Sequence, residues 1–578
     1  MNHDHSHPQD HVHGPGSSHN HAHDPSQPLP AALDLTVPEA ELSAGQLGRR
    51  SFLRRAGLLG AATAGVTALG TGAAAASDGG AGRVPGRPGA DPQDLLWLAG
   101  DHHIHTNHSP DAQYLVSQQV NKASQYGLDW MVITDHGTIG HQKLGVELTH
   151  PEIVQARVDN ARTLVFQGFE WNIPAAEHGT VIVAPGDGDV AVLKEFEGSF
   201  DGALNNATAT GEANEALARN GLVFLQTSVD QKRVADALFL ANHPARNGID
   251  SPHEIRGWRD AAPKVAVGFE GAPGHQAAAI AVPEHATNGR GYYSNKPGVN
   301  SFPGYPLESY VTYGGFDWMT ATVGGLWDSL LAEGKNWWIS ANSDSHQIYN
   351  DTFKPGAQDL ATTGSRGAPV DTGAPIASYG DFWPGYYSST VVGATDFSYG
   401  AVMAGIRAGR MYVVHGGLIG AVSVQVSGAG AVPGTLGSTV VPTQRGRRMT
   451  LQVDIALADR PNYHGEVPVL KKLDVVVGTV TGPVSDRDTL AAPQTSVVKT
   501  VEVPSKAPGN VFSFTYDLGA RRDPFYVRLR GSDGRRTAVG LKGASVDPSG
   551  PKVDALGNAD PWADLWFYTN PIFVVPTR

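Results

Sequence analysis

A chain of 578 residues that is 40% apolar and 17% charged has material for two or more domains, because a single core rarely grows past about 250–300 residues. Its formal charge of −13 argues against stable nucleic-acid binding through the phosphate backbone, which needs a basic face. The absence of cysteine excludes disulfides, thiolate metal ligands and a cysteine nucleophile, so any metal here is held by histidine and carboxylate.

Residues 1–24 carry eight histidines in low-complexity sequence that cannot form a core, and the stretch 1–48 is expected to be disordered. The histidines suit metal capture or are neutral drift, and composition does not choose between these. Residues 49–76, "RRSFLRRAGLLGAATAGVTALGTGAAAA", read as a twin-arginine export signal: paired arginines, a mildly apolar Gly/Ala run, then small residues suited to cleavage. The expectation is a secreted or extracytoplasmic protein that meets the twin-arginine export machinery and keeps no membrane anchor after cleavage. A Ser/Gly/Pro linker covers residues 77–95.

From residue 96 the texture is α/β. "LAGDHHIH" opens it. "WMVIT", "ARTLVFQGFEWN", "HGTVIVAP", "DALFLANHPAR", "PKVAVGFEGA" and "KNWWISANSDSH" read as buried strands with helical segments between several of them. That order predicts parallel pairing with helices outside, hence a barrel-like α/β domain ending near residue 418. Two stretches, 271–312 and 351–386, are loop-heavy insertions. Residues 419–578 alternate apolar and polar residues between turn signals, predicting an antiparallel β-sandwich.

The predicted strands end in polar residues of one chemical kind. His103 and His105 follow the first, Asp111 a turn later, His136 the second and Glu170 the third; His178 precedes "GTVIV"; His243 follows "LFLAN"; Asp344 and His346 follow "WWISAN". In parallel α/β folds the carboxyl ends of strands share one rim, where sites are built. Six imidazoles and three carboxylates exceed one four-coordinate ion, so the arithmetic gives two or three divalent ions, with Glu170 able to bridge. The donor set suits Zn, Mn or Fe better than Ca or Mg.

"HIH…D", "TDH", "GFEW", a following histidine, "NHP" and "SDSH" resemble, in order and content, the PHP (polymerase and histidinol phosphatase) superfamily across residues 96–418. The resemblance implies a distorted (β/α)7 barrel whose trinuclear centre hydrolyses phosphoesters with metal-activated water. It assigns His103, His105, Glu170 and Asp344 to one ion, Glu170, His178 and His243 to a second, and Asp111, His136 and His346 to a third. Glu170 and Asp344 are then catalytic, and Arg246 is placed to meet a phosphate oxygen of a small-molecule or polymer substrate. His102 and His108 are expected at the rim or in the core, Trp337 and Trp338 in the core, and His275 and His285 in a loop, in solvent or, as the alternative, touching substrate. A strand through 344–346 would put Asp344 and His346 on one face and Ser345 on the other. An amidohydrolase-type metallohydrolase and a non-enzymatic metal-delivery protein are the alternatives.

Overall fold

The computed structural model describes residues 29–42, 46–47, 49–50, 95–444, 446–535 and 550–576. The histidine-rich head and all of the expected export signal beyond Arg50 lie outside the described residues. Among those described, no helix is long and apolar enough to cross a membrane.

The α/β part contributes β1 (Leu96–Asp101), β2 (Trp130–Ile133), β3 (Leu164–Asn172), β4 (His178–Val183), β5 (Ala237–Ala241), β6 (Ala266–Ala272) and β7 (Trp338–Ala341). A two-stranded excursion follows, β8 (Phe353–Lys354) with β9 (Val370–Asp371), then β10 (Ser388–Ala394) and β11 (Met411–His415). The sheet runs β11-β10-β1-β2-β3-β4-β5-β6-β7. Helices pack outside it for the usual local reasons. Val116–Gln125 buries Val116, Gln119, Val120 and Ala123, a stripe of helical period. Pro252–Ala261 begins with proline after Ser251, whose side chain accepts from the Glu254 N–H while Glu254 reaches back to the Ser251 N–H.

Two expectations about this part need correction. Pairing is parallel for β1-β2, β2-β3, β5-β6 and β6-β7, but β4 is antiparallel to both β3 and β5. The link between β3 and β4, residues 173–177, is far too short for a parallel crossover, so the chain turns straight back. The backbone ladder also does not close between β7 and β10: Thr390 bridges them through its hydroxyl, donating to Ala341 O at 2.7 Å and accepting from Ala341 N at 2.8 Å.

The C-terminal part comprises β12 (Ile419–Gly428), β13 (Thr439–Val440), β14 (Met449–Leu457), β15 (Lys472–Thr479), β16 (Thr495–Glu502), β17 (Val511–Gly519), β18 (Phe525–Ser532), β19 (Trp566–Thr569) and β20 (Ile572–Val574). Strands β12, β14 and β17 form a separate antiparallel sheet. The others continue the α/β sheet, because β19 pairs with β11 on one side and β18 on the other. Val424, Leu451 and Val453 of the small sheet share a core with Val475, Val527 and Leu529 of the large one, so two layers do face each other. One layer of this pair is thus the small sheet and the other an extension of the first domain's own sheet.

The expected disordered stretch is packed at its C-terminal end. Leu33 lies against Ala421 and Ala456, and Asp34 pairs with Arg162 at 2.8 Å.

Candidate metal centre

The turn that makes β4 antiparallel also places its first residue beside the last residues of its parallel neighbours. His178 pairs with Asn172 at the end of β3, so its ring reaches the rim from a strand's beginning where the other ligand candidates come from strand ends. His103 and His105 lie past the end of β1, and Ile104 between them bridges Ser345 in parallel fashion. That bridge, rather than a continuous strand, sets Asp344 and His346 beside His103 and His105. Asp344 itself has a φ of +47°, His243 +29° and His275 +51°, a left-handed backbone that non-glycine residues adopt at a cost. The residue opposite is Gly274, where a Cβ would stand 2.1 Å from that of Asp344.

All nine sequence candidates converge. His103 Nε2 lies 3.0 Å from His105 Nε2 and 3.1 Å from Asp344 Oδ1. His136 Nε2 lies 3.1 Å from His346 Nε2 and 3.5 Å from Asp111 Oδ2, and His346 is 3.7 Å from Asp111 Oδ1. Glu170 sits at the centre. His103, His178 and His243 approach its Oε1 at 3.2, 3.1 and 3.4 Å, while His105 and His136 approach its Oε2 at 3.4 and 2.9 Å. A cavity of about 270 Å³ opens over Glu170, Asp344 and His136, and Arg246 lines it, its Nη2 3.5 Å from Glu177.

The electrostatics follow from burial opposed by charge. Burial disfavours the charged form of His103, yet the carboxylates of Asp344, Glu170 and Glu270 hold it well above the usual imidazole range. Burial likewise opposes ionised Glu170, but His178, His103 and His136 keep it well below the usual carboxylate range. With fewer carboxylates to oppose it, burial wins at His243, which Arg246 helps push down to about 3, and at His346, pushed down to about 4 beside His105. These two imidazoles are neutral at neutral pH and have a lone pair to give.

The donor set fits divalent ions. Ligand atoms about 2.1 Å from one tetrahedral ion lie about 3.4 Å from each other, close to the separations seen here. Glu170 Oε2 and Asp344 Oδ1 are buried and accept no hydrogen bond, an expense that coordination removes. Imidazole nitrogens facing each other at 3.0 Å hold at most one proton between them, which again suits a shared cation.

Around these residues stands a shell that sequence reading passed over. Glu270 accepts from His103 Nδ1 at 2.7 Å and from the His243 N–H at 2.7 Å. Asn242 donates to Glu170 Oε1 at 3.0 Å. Asp135 of "TDH" points to Thr106 and Ser109 and so fixes the loop after the H-x-H pair. His275, expected in solvent, is buried: its Nε2 lies 2.7 Å from Asp344 Oδ2 and its Nδ1 2.5 Å from Asp381 Oδ1. Asp381 also accepts the N–H groups of His346 and Gln347. His285 is buried as well, bonded to Ile280 O. His102, between Thr180 and Ser340, and Trp337 and Trp338 are core as expected; His108 is buried against Gly364 O. Asp381 and His275 carried no strand-end signal, because each belongs to an insertion.

Residues 101–231 match the PHP domain family, a span that includes His103, His105, Asp111, His136, Glu170 and His178. No curated protein matches the chain. Among solved structures, a two-domain protein of Bacteroides vulgatus, described as containing a predicted PHP-like metal-dependent phosphoesterase, is 13% identical. The alignment covers 82% of this chain and 99% of that one at a TM-score of 0.29. An amidohydrolase from Chromobacterium violaceum, solved with bound sulfate and no metal, is 17% identical over 30% of this chain and 76% of its own, with a TM-score of 0.18. Neither likeness bears on chemistry.

Proposed function

We propose, from a PHP domain over residues 101–231 and the pocket it shares with His243, Asp344 and His346, that the chain is an exported metal-dependent hydrolase of phosphoester bonds. The observation that carries this is Glu170: one buried carboxylate ringed by five imidazoles between 2.9 and 3.4 Å, with Oε2 accepting no hydrogen bond. Two or three Zn, Mn or Fe ions would be held by His103, His105, Glu170 and Asp344, by Glu170, His178 and His243, and by Asp111, His136 and His346. When bound, such ions supply Lewis acidity at a phosphoryl oxygen and acidify water.

The chain's own residues do the rest. Glu270 fixes the ring of His103 by accepting from Nδ1, leaving Nε2 toward the pocket. Arg246 offers its guanidinium to a phosphate oxygen, a geometry it fills better than lysine. His275 sits between Asp344 and Asp381, whose carboxylates raise its pKa to about 10 against burial, so its two ring nitrogens tie the Asp344 carboxylate to Asp381 and hold it in place. Residues 49–76 remain the export signal in this reading.

The test is a purified sample assayed on p-nitrophenyl phosphate, bis-p-nitrophenyl phosphate and a panel of amides and carboxylic esters, with metal analysis beside it. We expect phosphoester turnover, its loss on chelation, and its return with Mn or Zn. Turnover confined to the amide and ester panel, or full rate after chelation, overturns the reading.

A further inference from the structure

At the end of the strands opposite the metal centre lies a second polar site with a different chemistry. Asp129, just before β2, is almost completely buried, and its Oδ2 accepts the N–H of Ala99 at 2.8 Å. The carbonyl oxygens of Trp97 and Gly127 stand beside it. Into this group comes Arg49: Nη1 donates to Trp97 O at 3.1 Å and pairs with the Asp129 carboxylate, while Nη2 donates to Gly127 O at 3.0 Å. The planar fork of guanidinium matches acceptors arranged this way, and an ammonium does not.

Arg50, its neighbour, is buried in a separate cage. Its Nε donates to Ala32 O at 3.2 Å and its Nη1 to Val37 O at 2.6 Å, with Ala31 O and Asp34 O completing the set. The loop that forms this cage is pinned to the folded domain, since Arg162 donates to Leu29 O at 2.9 Å and pairs with Asp34. Asp129, Trp97 and Gly127 come together only when β1, β2 and the turn before β2 are folded. Burial holds the Asp129 carboxyl above its usual range even with Arg49 beside it, so the emptied pocket is costly.

We propose that Asp129, Trp97 O and Gly127 O form a guanidinium socket whose occupant is the chain's own Arg49, so that folding withdraws the Arg49–Arg50 pair from any partner that reads it. The socket does not depend on the hydrolase reading; the partner it competes with rests on the export part of that reading. The partner in question is a protein surface that recognises paired guanidinium groups, as the export machinery of the sequence reading does, and it competes with the socket for the same arginine.

Limited trypsin digestion of the full-length protein, with cleavage after Arg49 and Arg50 followed by mass spectrometry, tests this. Asp129→Asn removes the charge at nearly constant shape, and Arg49→Lys keeps both the charge and a trypsin site but loses the fork. Each is expected to speed cleavage at these two bonds by at least about tenfold over wild type, through easier local opening. Thermal unfolding reports whether Asp129→Asn is folded; Arg49→Lys, which leaves the α/β domain untouched, stands if it is not. Wild-type bonds cut as fast as in urea-unfolded chain, or cut equally fast in wild type and Arg49→Lys, overturn the socket.

Discussion

Among the described residues, two of the clusters of buried charge are built on opposite plans. At the seam between the α/β part and the C-terminal strands, the carboxylates of Asp328, Asp474 and Glu333 each face a guanidinium. Asp328 accepts from Arg528 Nε at 2.9 Å and Nη2 at 2.7 Å, with the guanidinium 4.5 Å from the Trp327 ring centroid. Asp474 meets Arg530 at 2.9 Å, and Glu333 takes Arg256 and Arg259 at 2.6 Å each. At the candidate metal centre carboxylates meet imidazoles instead, several around one Glu170, and Glu170 Oε2 and Asp344 Oδ1 are left without donors. Burial of charge alone therefore does not mark a functional site. What sets the candidate centre apart is two buried carboxylates in one pocket, each with an oxygen left without a donor, whereas the seam carboxylates are bonded throughout and the unpartnered atom there is a donor, Arg528 Nη1.

The sharpest way to break this contrast is Glu170→Gln, which keeps volume and removes the charge. It is expected to lower turnover by about a thousandfold or more and to reduce metal content, with the unfolding midpoint little changed. Metal analysis and phosphoester kinetics on the same sample check it; wild-type rate and metal content would erase the distinction between the clusters. The reciprocal change, Asp328→Ala, strands the Arg528 charge and is expected to cost about 3–5 kcal/mol of stability while turnover per folded molecule holds. Denaturant unfolding gives the first quantity and active-site titration the second.

Asp381→Asn reaches the centre through His275 and the His346 N–H, and metal affinity is expected to fall about 10–100-fold, as for other outer partners of ligands. Competition against a chromogenic chelator reads this directly. A further effect concerns acid. Burial, helped by the His103 charge, pushes His102 down to about 3, against about 6.5 in the unfolded chain. Above pH 6.5 neither state binds that proton; as pH falls from 6.5 toward 3 the unfolded chain does and the folded chain does not. Stability should then drop by about 1.4 kcal/mol per pH unit from this group alone. Denaturant melts of chelated protein between pH 7 and 4.5 should show a shallower fall in His102→Gln, whereas a seam variant such as Asp328→Ala should keep the wild-type slope.

The site was legible in sequence because its ligands follow apolar runs, and a run's end is visible without knowing how the run pairs. His103, Glu170 and His243 are of this kind. What could not be read was conformation. Nothing in "NSDSH" signals that Asp344 turns left-handed, or that a bridge from Ile104 to Ser345 replaces a strand there. The reversal of β4 was hidden for a related reason: "GFEWNIPAAEHGT" shows two apolar runs, and only the brevity of residues 173–177 argues against a crossover. Insertions hid Asp381 and the burial of His275, whose meeting depends on two loops without periodicity.

The pairing of β11 with β19 gives the chain a junction that no cut in sequence can honour. Severing the chain after residue 418 would leave β11 as a raw edge, with Tyr412, Val413 and Val414 offering unpaired N–H and C=O groups to any passing strand. A catalytic fragment made that way should be sticky, drawing copies of itself into edge-to-edge stacks. The C-terminal strands thus serve as the selvedge of the α/β sheet.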